Sequence, residues 1–368
     1  MTDPRIERWA QTLVNYSVNV QPGQTVAITG GIAAEPLMRS IYREVIKAGG
    51  FPVALPAFSG LGADLLKMGS DDQLGYISPV ERFMREQTDV MIAIMADTNT
   101  KAMASVDPAR QQFFQGARRE LFQTYLRRDA EGLLNWTLTL YPTDAYAQDA
   151  DMSTDEFTEF VFRAGKLHTD DPIAAWKAET EFAQRIVNWL DGKQEIHLTG
   201  PGTDLRVSVA NRVWINSGDA TKNFPDGEVF TGPVEDGVNG VVSFSFPVVT
   251  AGREIEGIVL RFEEGKVVQA SATRGHEYLE AVLDTDPGAR ILGEFAIGTN
   301  YDIQRFSKNI LFDEKIGGTV HMAIGAGYPE TGNNNTSAVH WDMICDLRQG
   351  GEVRADGELL LKDGKFVV

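Results

Sequence analysis

Four short apolar runs, separated by stretches of helical pattern, restrict this chain to few architectures. They are QTVAITGG (Gln24–Gly31), FPVALPAF (Phe51–Phe58), DVMIAIMAD (Asp89–Asp97) and NWTLTLYPT (Asn135–Thr143). Each reads as a strand. Between them lie amphipathic segments: residues 4–18 with Ile6, Trp9 and Leu13 at helical spacing, residues 34–48 closed by Gly49-Gly50, and residues 107–127. Strands joined through helices can lie parallel only by crossing over the sheet, so the first half is expected to form a parallel sheet covered on both faces.

Two further helical stretches follow, at 154–163 and 172–190, and from Gln194 the period changes. EIHLTG, DLRVSVA, GVVSFSFPVV, IEGIVLRFEEGKVVQASA and GELLLKDGKFVV alternate apolar with polar residues between glycine-rich turns. EEGK and KDGK have the form of hairpin connections. Helix is expected in this half only at 275–283 and 301–309. The 368 residues exceed what one core usually serves. The expected fold class is therefore α/β: an N-terminal parallel-sheet α/β domain (1–190), then an α+β, antiparallel-rich metal-binding domain (191–368). The boundary falls near 188–194.

Charge removes several functions. The chain carries 34 basic and 52 acidic residues, a net −18, without a basic cluster. Such a surface repels phosphate backbones and anionic membranes, so neither nucleic acid nor a bilayer is an expected partner. No apolar run is long enough to span a membrane, and MTDPRIERWA lacks the basic-then-apolar pattern of a secretory signal. A lone cysteine, Cys345, fits a reducing compartment, and the cytoplasm is the expected location.

AVHWDM (Ala338–Met343) sets His340 and Asp342 two positions apart in a strand-like run. Residues i and i+2 of a strand share a face, roughly 7 Å apart. Burying both is costly unless they hydrogen-bond to one another's neighbours or hold a metal, and imidazole with carboxylate suits zinc, manganese, cobalt or iron. His321 lies in GGTVHMAIGAGYP, a second short strand flanked by glycines, with Tyr328 in the turn that follows. Tyr328 also reads as an ordinary half-buried tyrosine. Glu228 opens a strand in GEVFTGP, and Glu294 sits among apolar neighbours in ILGEFAIG, where a carboxylate needs a buried partner. Asp313 and Glu314, in LFDEK, are expected to be exposed on pattern alone. His168, His197 and His276 read as surface or structural residues.

The ordered set NFPDGEVFTGPVEDGVNG, LGEFAIG, LFDE, HMAIGAGYP and VHWDM resembles the aminopeptidase T/aminopeptidase S family of metallopeptidases. Weaker likeness runs upstream through VQPGQTV and TLYPTDAYAQDADMSTDEF. The resemblance implies a homodimeric exopeptidase acting on peptides with a free N-terminus, with two divalent ions (zinc, cobalt, manganese or magnesium) in the C-terminal domain. It implies Glu228, Glu294, His321, Tyr328, His340 and Asp342 as metal ligands, Glu294 bridging. Glu314 matches an acidic position suited to proton transfer, so Glu294 and Glu314 are the expected catalytic residues. The chain departs from the family in being shorter, in the wording of KIGGTV, and in a compact GNNNTS loop.

Two other readings use parts of the same evidence. His321, His340 and Asp342 alone would serve a mononuclear iron dioxygenase of the dihydroxypyridine type, although such a site has no use for both Glu228 and Glu294. ITGGIAAEP (Ile28–Pro36) runs from a strand through glycines to a helix start, where a nucleotide phosphate could rest. It lacks GxGxxG spacing and a P-loop lysine.

Overall fold

The computed structural model describes residues 3–250 and 253–368. The expected alternation of strand and helix produces one parallel sheet, ordered Phe51–Ala57, Thr25–Gly31, Val90–Met95, Asn135–Leu140 and Asn223–Phe224. The inner strands are apolar on both faces, with Val26, Ala27, Ile28, Val90 and Ile92 buried, as a sheet covered by helices requires. The outer strand behaves differently. Phe51 N donates to Gln24 O, so odd-numbered amides of that strand face the sheet. Pro52 and Pro56 occupy even positions, and their missing donors fall on the free edge, where a proline costs no ladder bond. Gly30 and Gly31 are explained by packing: an added Cβ would lie 3.0 Å from Ile94 and 2.7 Å from the Ala96 carbonyl. The helix that follows, Glu35–Lys47, has an acidic first turn, which disfavours an anion there.

A second unit carries the antiparallel strands. Eight of them form one sheet, ordered 266–271, 259–263, 238–243, 203–208, 195–200, 352–355, 358–362 and 365–366. Both expected hairpins are present, with Glu263 paired to Lys266 and Lys362 to Lys365. A five-stranded sheet follows the order His340–Asp346, Thr319–Gly325, Leu292–Gly298, Glu228–Thr231 and Ile215–Ser217. The two sheets share one core, to which Leu198, Leu205, Val242 and Leu260 contribute from the larger and Phe295, Met322 and Met343 from the smaller.

Three local expectations need correction. The compact units comprise residues up to Ile173 with Ala220–Pro225, and Ala174–Asp219 with Asp226–Val368, rather than meeting at residue 190. Helix Pro172–Leu190 belongs almost wholly to the second unit, because Ala183, Ile186 and Leu190 enter its core. Residues 301–309 are not helical. A single turn forms instead at Ile310–Asp313, capped by the Asn309 side chain accepting from Leu311 N. Asp313 is buried rather than exposed, accepting from the amide (2.7 Å) and hydroxyl (2.8 Å) of Ser307. Among the described residues, no helix is long and apolar enough to cross a membrane.

Candidate metal centre

Alternation across the smaller sheet decides what faces the site. Val229, Phe295, Ile297, Val320, Met322, Ile324, Trp341 and Met343 point into the shared core. Their neighbours, Glu228, Glu294, His321, His340 and Asp342, take the opposite face. Strict alternation would have put Glu294 on the same side as Leu292, which is in the core. The register shifts between Leu292 and Glu294, so Gly293 is the extra residue of a bulge that turns the glutamate over. Only glycine fits there, since a Cβ on Gly293 would sit 2.5 Å or closer to the carbonyls of Gly325 and Ala326. Small residues stand between the functional ones: Ala296 pairs with His321, and Ala323 pairs with both Glu294 and Asp342. That spacing leaves the side chains free to converge.

They do converge. His321 Nε2 lies 3.4 Å from Glu228 Oε2 and 3.5 Å from Glu294 Oε1. His340 Nε2 lies 3.3 Å from Glu294 Oε2 and 3.6 Å from Asp342 Oδ1. The two oxygens of Glu294 thus face two different histidines. Each imidazole is anchored from behind, His321 Nδ1 against Glu314 O (3.1 Å) and His340 Nδ1 against Ala326 O (2.9 Å). With Nδ1 donating, Nε2 is the nitrogen offered to the site. Tyr328 places its hydroxyl 3.5 Å from His340 Nε2, its ring held between Phe230 and His340. The asparagine-rich loop beyond it is pinned, Asn333 donating to Pro233 O and Asn335 to Gly288 O.

Glu314 is partly buried, with a carboxylate oxygen within 4.8 Å of potential ligand atoms of His321 and Asp342, against the exposure expected from its sequence. Lys315 was not anticipated. Its side chain is 1% exposed, with Nζ 2.5 Å from Glu228 Oε1, 2.8 Å from Glu314 Oε1 and 3.4 Å from Asp226 Oδ1. A lysine after LFDE reads as one more surface charge, because lysine is almost never fully buried unpaired. Asp226 was missed too. Its carboxylate accepts from Ser217 Oγ and Gly227 N beneath the site. His168 and His276 are exposed, and His197 pairs with Asp204 at 2.7 Å, in line with a surface reading.

The electrostatics are those of a site that favours cations. Burial drives the Glu228 carboxyl up to about 8, against the pull of Lys315 and His321, and Asp342 up to about 6, with Glu294 adding repulsion. Burial also opposes ionisation of Glu294, but hydrogen bonds from His321 and His340 outweigh it and hold the group at about 2. Both histidines resist desolvation through these carboxylates, His321 rising to about 10 and His340 to about 9. Burial and then the surrounding carboxylates raise the Tyr328 hydroxyl. Two buried acceptors, Glu228 Oε2 and Asp342 Oδ1, have no hydrogen-bond partner. Such orphans cost about 1–3 kcal/mol each unless something occupies them. A divalent cation fits this donor set of carboxylate oxygen and imidazole nitrogen.

The family model for the thermophilic metalloproteases (M29) matches residues 2–366. The chain belongs to that family. Among its relatives is aminopeptidase 2 of Geobacillus stearothermophilus, 31% identical across 99% of this chain and 95% of the relative. Aminopeptidase T of Thermus thermophilus is 28% identical over 98% of this chain and 95% of its own. The solved structure of wild-type AmpT from Thermus thermophilus superposes with a TM-score of 0.86 at 28% identity, covering 99% of both chains. A 2,5-dihydroxypyridine dioxygenase from Pseudomonas putida KT2440 shares the fold at a TM-score of 0.60 and 16% identity, covering 99% of this chain and 96% of that one. M29 membership over nearly the whole chain bears out the expected family, and with it a resident divalent metal.

Proposed function

We propose that this metal-dependent aminopeptidase uses a dinuclear centre held by Glu228, Glu294, His321, Tyr328, His340 and Asp342, with zinc, cobalt, manganese or magnesium as the ions. The observation that carries this reading is the split of Glu294, one oxygen toward His321 and the other toward His340. Glu228 Oε2 and Asp342 Oδ1, buried without partners, supply the outer acceptors.

When bound, the ions supply Lewis-acid polarisation of the scissile carbonyl and a lowered pKa for the attacking water. Glu294 offers a carboxylate oxygen to each half of the site. His321 and His340 offer neutral Nε2 atoms whose tautomers are fixed by backbone carbonyls. Glu314 takes a proton from the attacking water and returns it to the departing amine. Lys315 holds Glu314 Oε1 and Glu228 Oε1, so the second oxygen of each is available to the centre. The substrate's free α-amine would bind an ion or one of the acidic side chains, which would confine attack to the first peptide bond. The catalytic domain, expected as 191–368, contains every one of these residues.

Metal analysis of the purified protein, paired with aminoacyl-p-nitroanilide hydrolysis, tests this directly. Two equivalents of metal per chain and their joint loss with activity in His340→Ala are expected. Full activity in metal-free protein would overturn the reading. The homodimer and the cytoplasmic location are part of the same proposal, supported by the family resemblance and the buried, unpaired Cys345. A monomer in sedimentation with full activity would refute the dimer.

A further inference from the structure

The first compact unit carries a groove of its own, about 460 Å³, where helix Glu35–Lys47 packs on the edge strand Phe51–Ala57. Its lining includes Ile32, Met38, Ala54 and Pro56, together with Tyr42 and Arg43. We infer that this groove binds a small amphipathic organic anion, an apolar body ending in a carboxylate or sulfonate, with Arg43 receiving the charge. The inference is independent of the aminopeptidase chemistry.

Position and size both suit a small molecule. The groove lies at the carboxyl ends of two neighbouring parallel strands, the end of an open α/β sheet at which ligands are taken. Ile32 directly follows the strand Thr25–Gly31, and Pro56, paired with Gly30, is one residue from the end of the outer strand. The volume falls within the roughly 300–1,000 Å³ usual for small-molecule pockets. An added strand from another chain is a poorer occupant, because Pro52 and Pro56 deprive the free edge of donors. Ile32 and Tyr42, 47% and 40% exposed, keep apolar surface in water that a covering ligand would remove.

Charge decides the kind of ligand. The net −18 of the chain repels anions in general, so the local balance matters. Helix Glu35–Lys47 has two acids, and both are engaged: Glu35 with Arg39 at 2.7 Å, and Glu44 with Lys47 at 2.8 Å and Asn15 at 2.9 Å. Arg43 has no hydrogen-bond or ion-pair partner among the described residues. It stands eight residues after Glu35, roughly 12 Å along the axis and clear of the acidic first turn. A planar guanidinium meets a carboxylate or sulfonate through two parallel hydrogen bonds. Amino acids and peptides fit worse, since the one acid lining the groove, Glu35, is taken and leaves nothing for their ammonium group.

The test is a fluorescence titration of the metal-loaded enzyme with anilinonaphthalene sulfonate, followed by competition. One equivalent should bind and be displaced by octanoate, but at least about 10-fold less readily by octylammonium, leucine or inorganic phosphate. Arg43→Gln should weaken the dye by about 10-fold or more, the order of a lost charge-assisted hydrogen bond. Ala54→Trp, at an exposed position of the edge strand, fills the groove and should abolish binding. Both variants should keep anilide hydrolysis, which shows that they are folded. Dye affinity unchanged in either variant would overturn the inference, as would equal displacement by octylammonium or phosphate, or no saturable binding at all.

Discussion

Loading metal into the metal-free protein should expel protons, because the groups that would ligate it hold protons at neutral pH. Ligation requires neutral imidazoles and ionised carboxylates. At pH 7 His321, at about 10, and His340, at about 9, each hold a proton, and Glu228, at about 8, holds most of one. Asp342, at about 6, and Glu294, at about 2, are ionised already. Summing the protonated fractions gives about three protons released at pH 7 and about 1.5 at pH 9. The logarithm of apparent metal affinity should therefore rise by about three units per pH unit near pH 7 and by about 1.5 near pH 9, flattening only above about pH 10. Calorimetric titration with zinc in two buffers of different ionisation heat measures the count at each pH. The sign carries over to stability. Groups whose folded values are raised stabilise the metal-free fold fully below their unfolded values and lose that contribution as pH climbs to the folded ones, from about 4.5 to 8 for Glu228 and from about 6.5 to 9 or 10 for the histidines. The Tm of metal-free protein should fall over that window, while the depressed Glu294 matters only as pH drops from about 4.5 toward 2. Release of fewer than one proton at pH 7 would refute the arrangement, because the histidines would then not be holding the charge that metal replaces.

Glu294→Gln removes the charge that faces both histidines. It should cut anilide hydrolysis by more than the roughly 10- to 100-fold typical of losing a residue behind a metal ligand, with metal content falling in parallel; retained activity would sink the bridging role, and undiminished iron-dependent oxygen uptake with a dihydroxypyridine would favour the dioxygenase reading. Lys315→Met leaves Asp226, Glu228 and Glu314 buried without their cation, so denaturant unfolding of metal-free protein should show a loss of about 3–5 kcal/mol. An unchanged midpoint would mean the carboxylates are relaxed by some other route. Gly293→Ala forces a methyl group against the carbonyls of Gly325 and Ala326, and metal content measured after mild chelation should fall because Glu294 is displaced.

What could be read without the structure followed from periodicity. The parallel strands, the helices at 154–164 and 172–190 and both hairpins were legible because a one-face or two-face burial pattern repeats along them. His340 and Asp342 were legible for the same reason, since strand alternation places i and i+2 together. Glu294 stood out as a charge in a buried run, but the bulge that aims it did not: Gly293 looks like any strand glycine until its neighbours' carbonyls are known. Glu314 and Lys315 were invisible to pattern, because an Asp-Glu-Lys run in a short loop has the composition of a solvated surface. Their burial is a tertiary event, set by the Asn300 pairing that brings residues 315–317 back across the end of the Leu292–Gly298 strand. Local sequence encodes which face a strand residue takes, whereas a loop residue's burial is decided by whatever crosses above it. The proton-handling part of such a site, when it sits on loops, is therefore the part that a single sequence conceals.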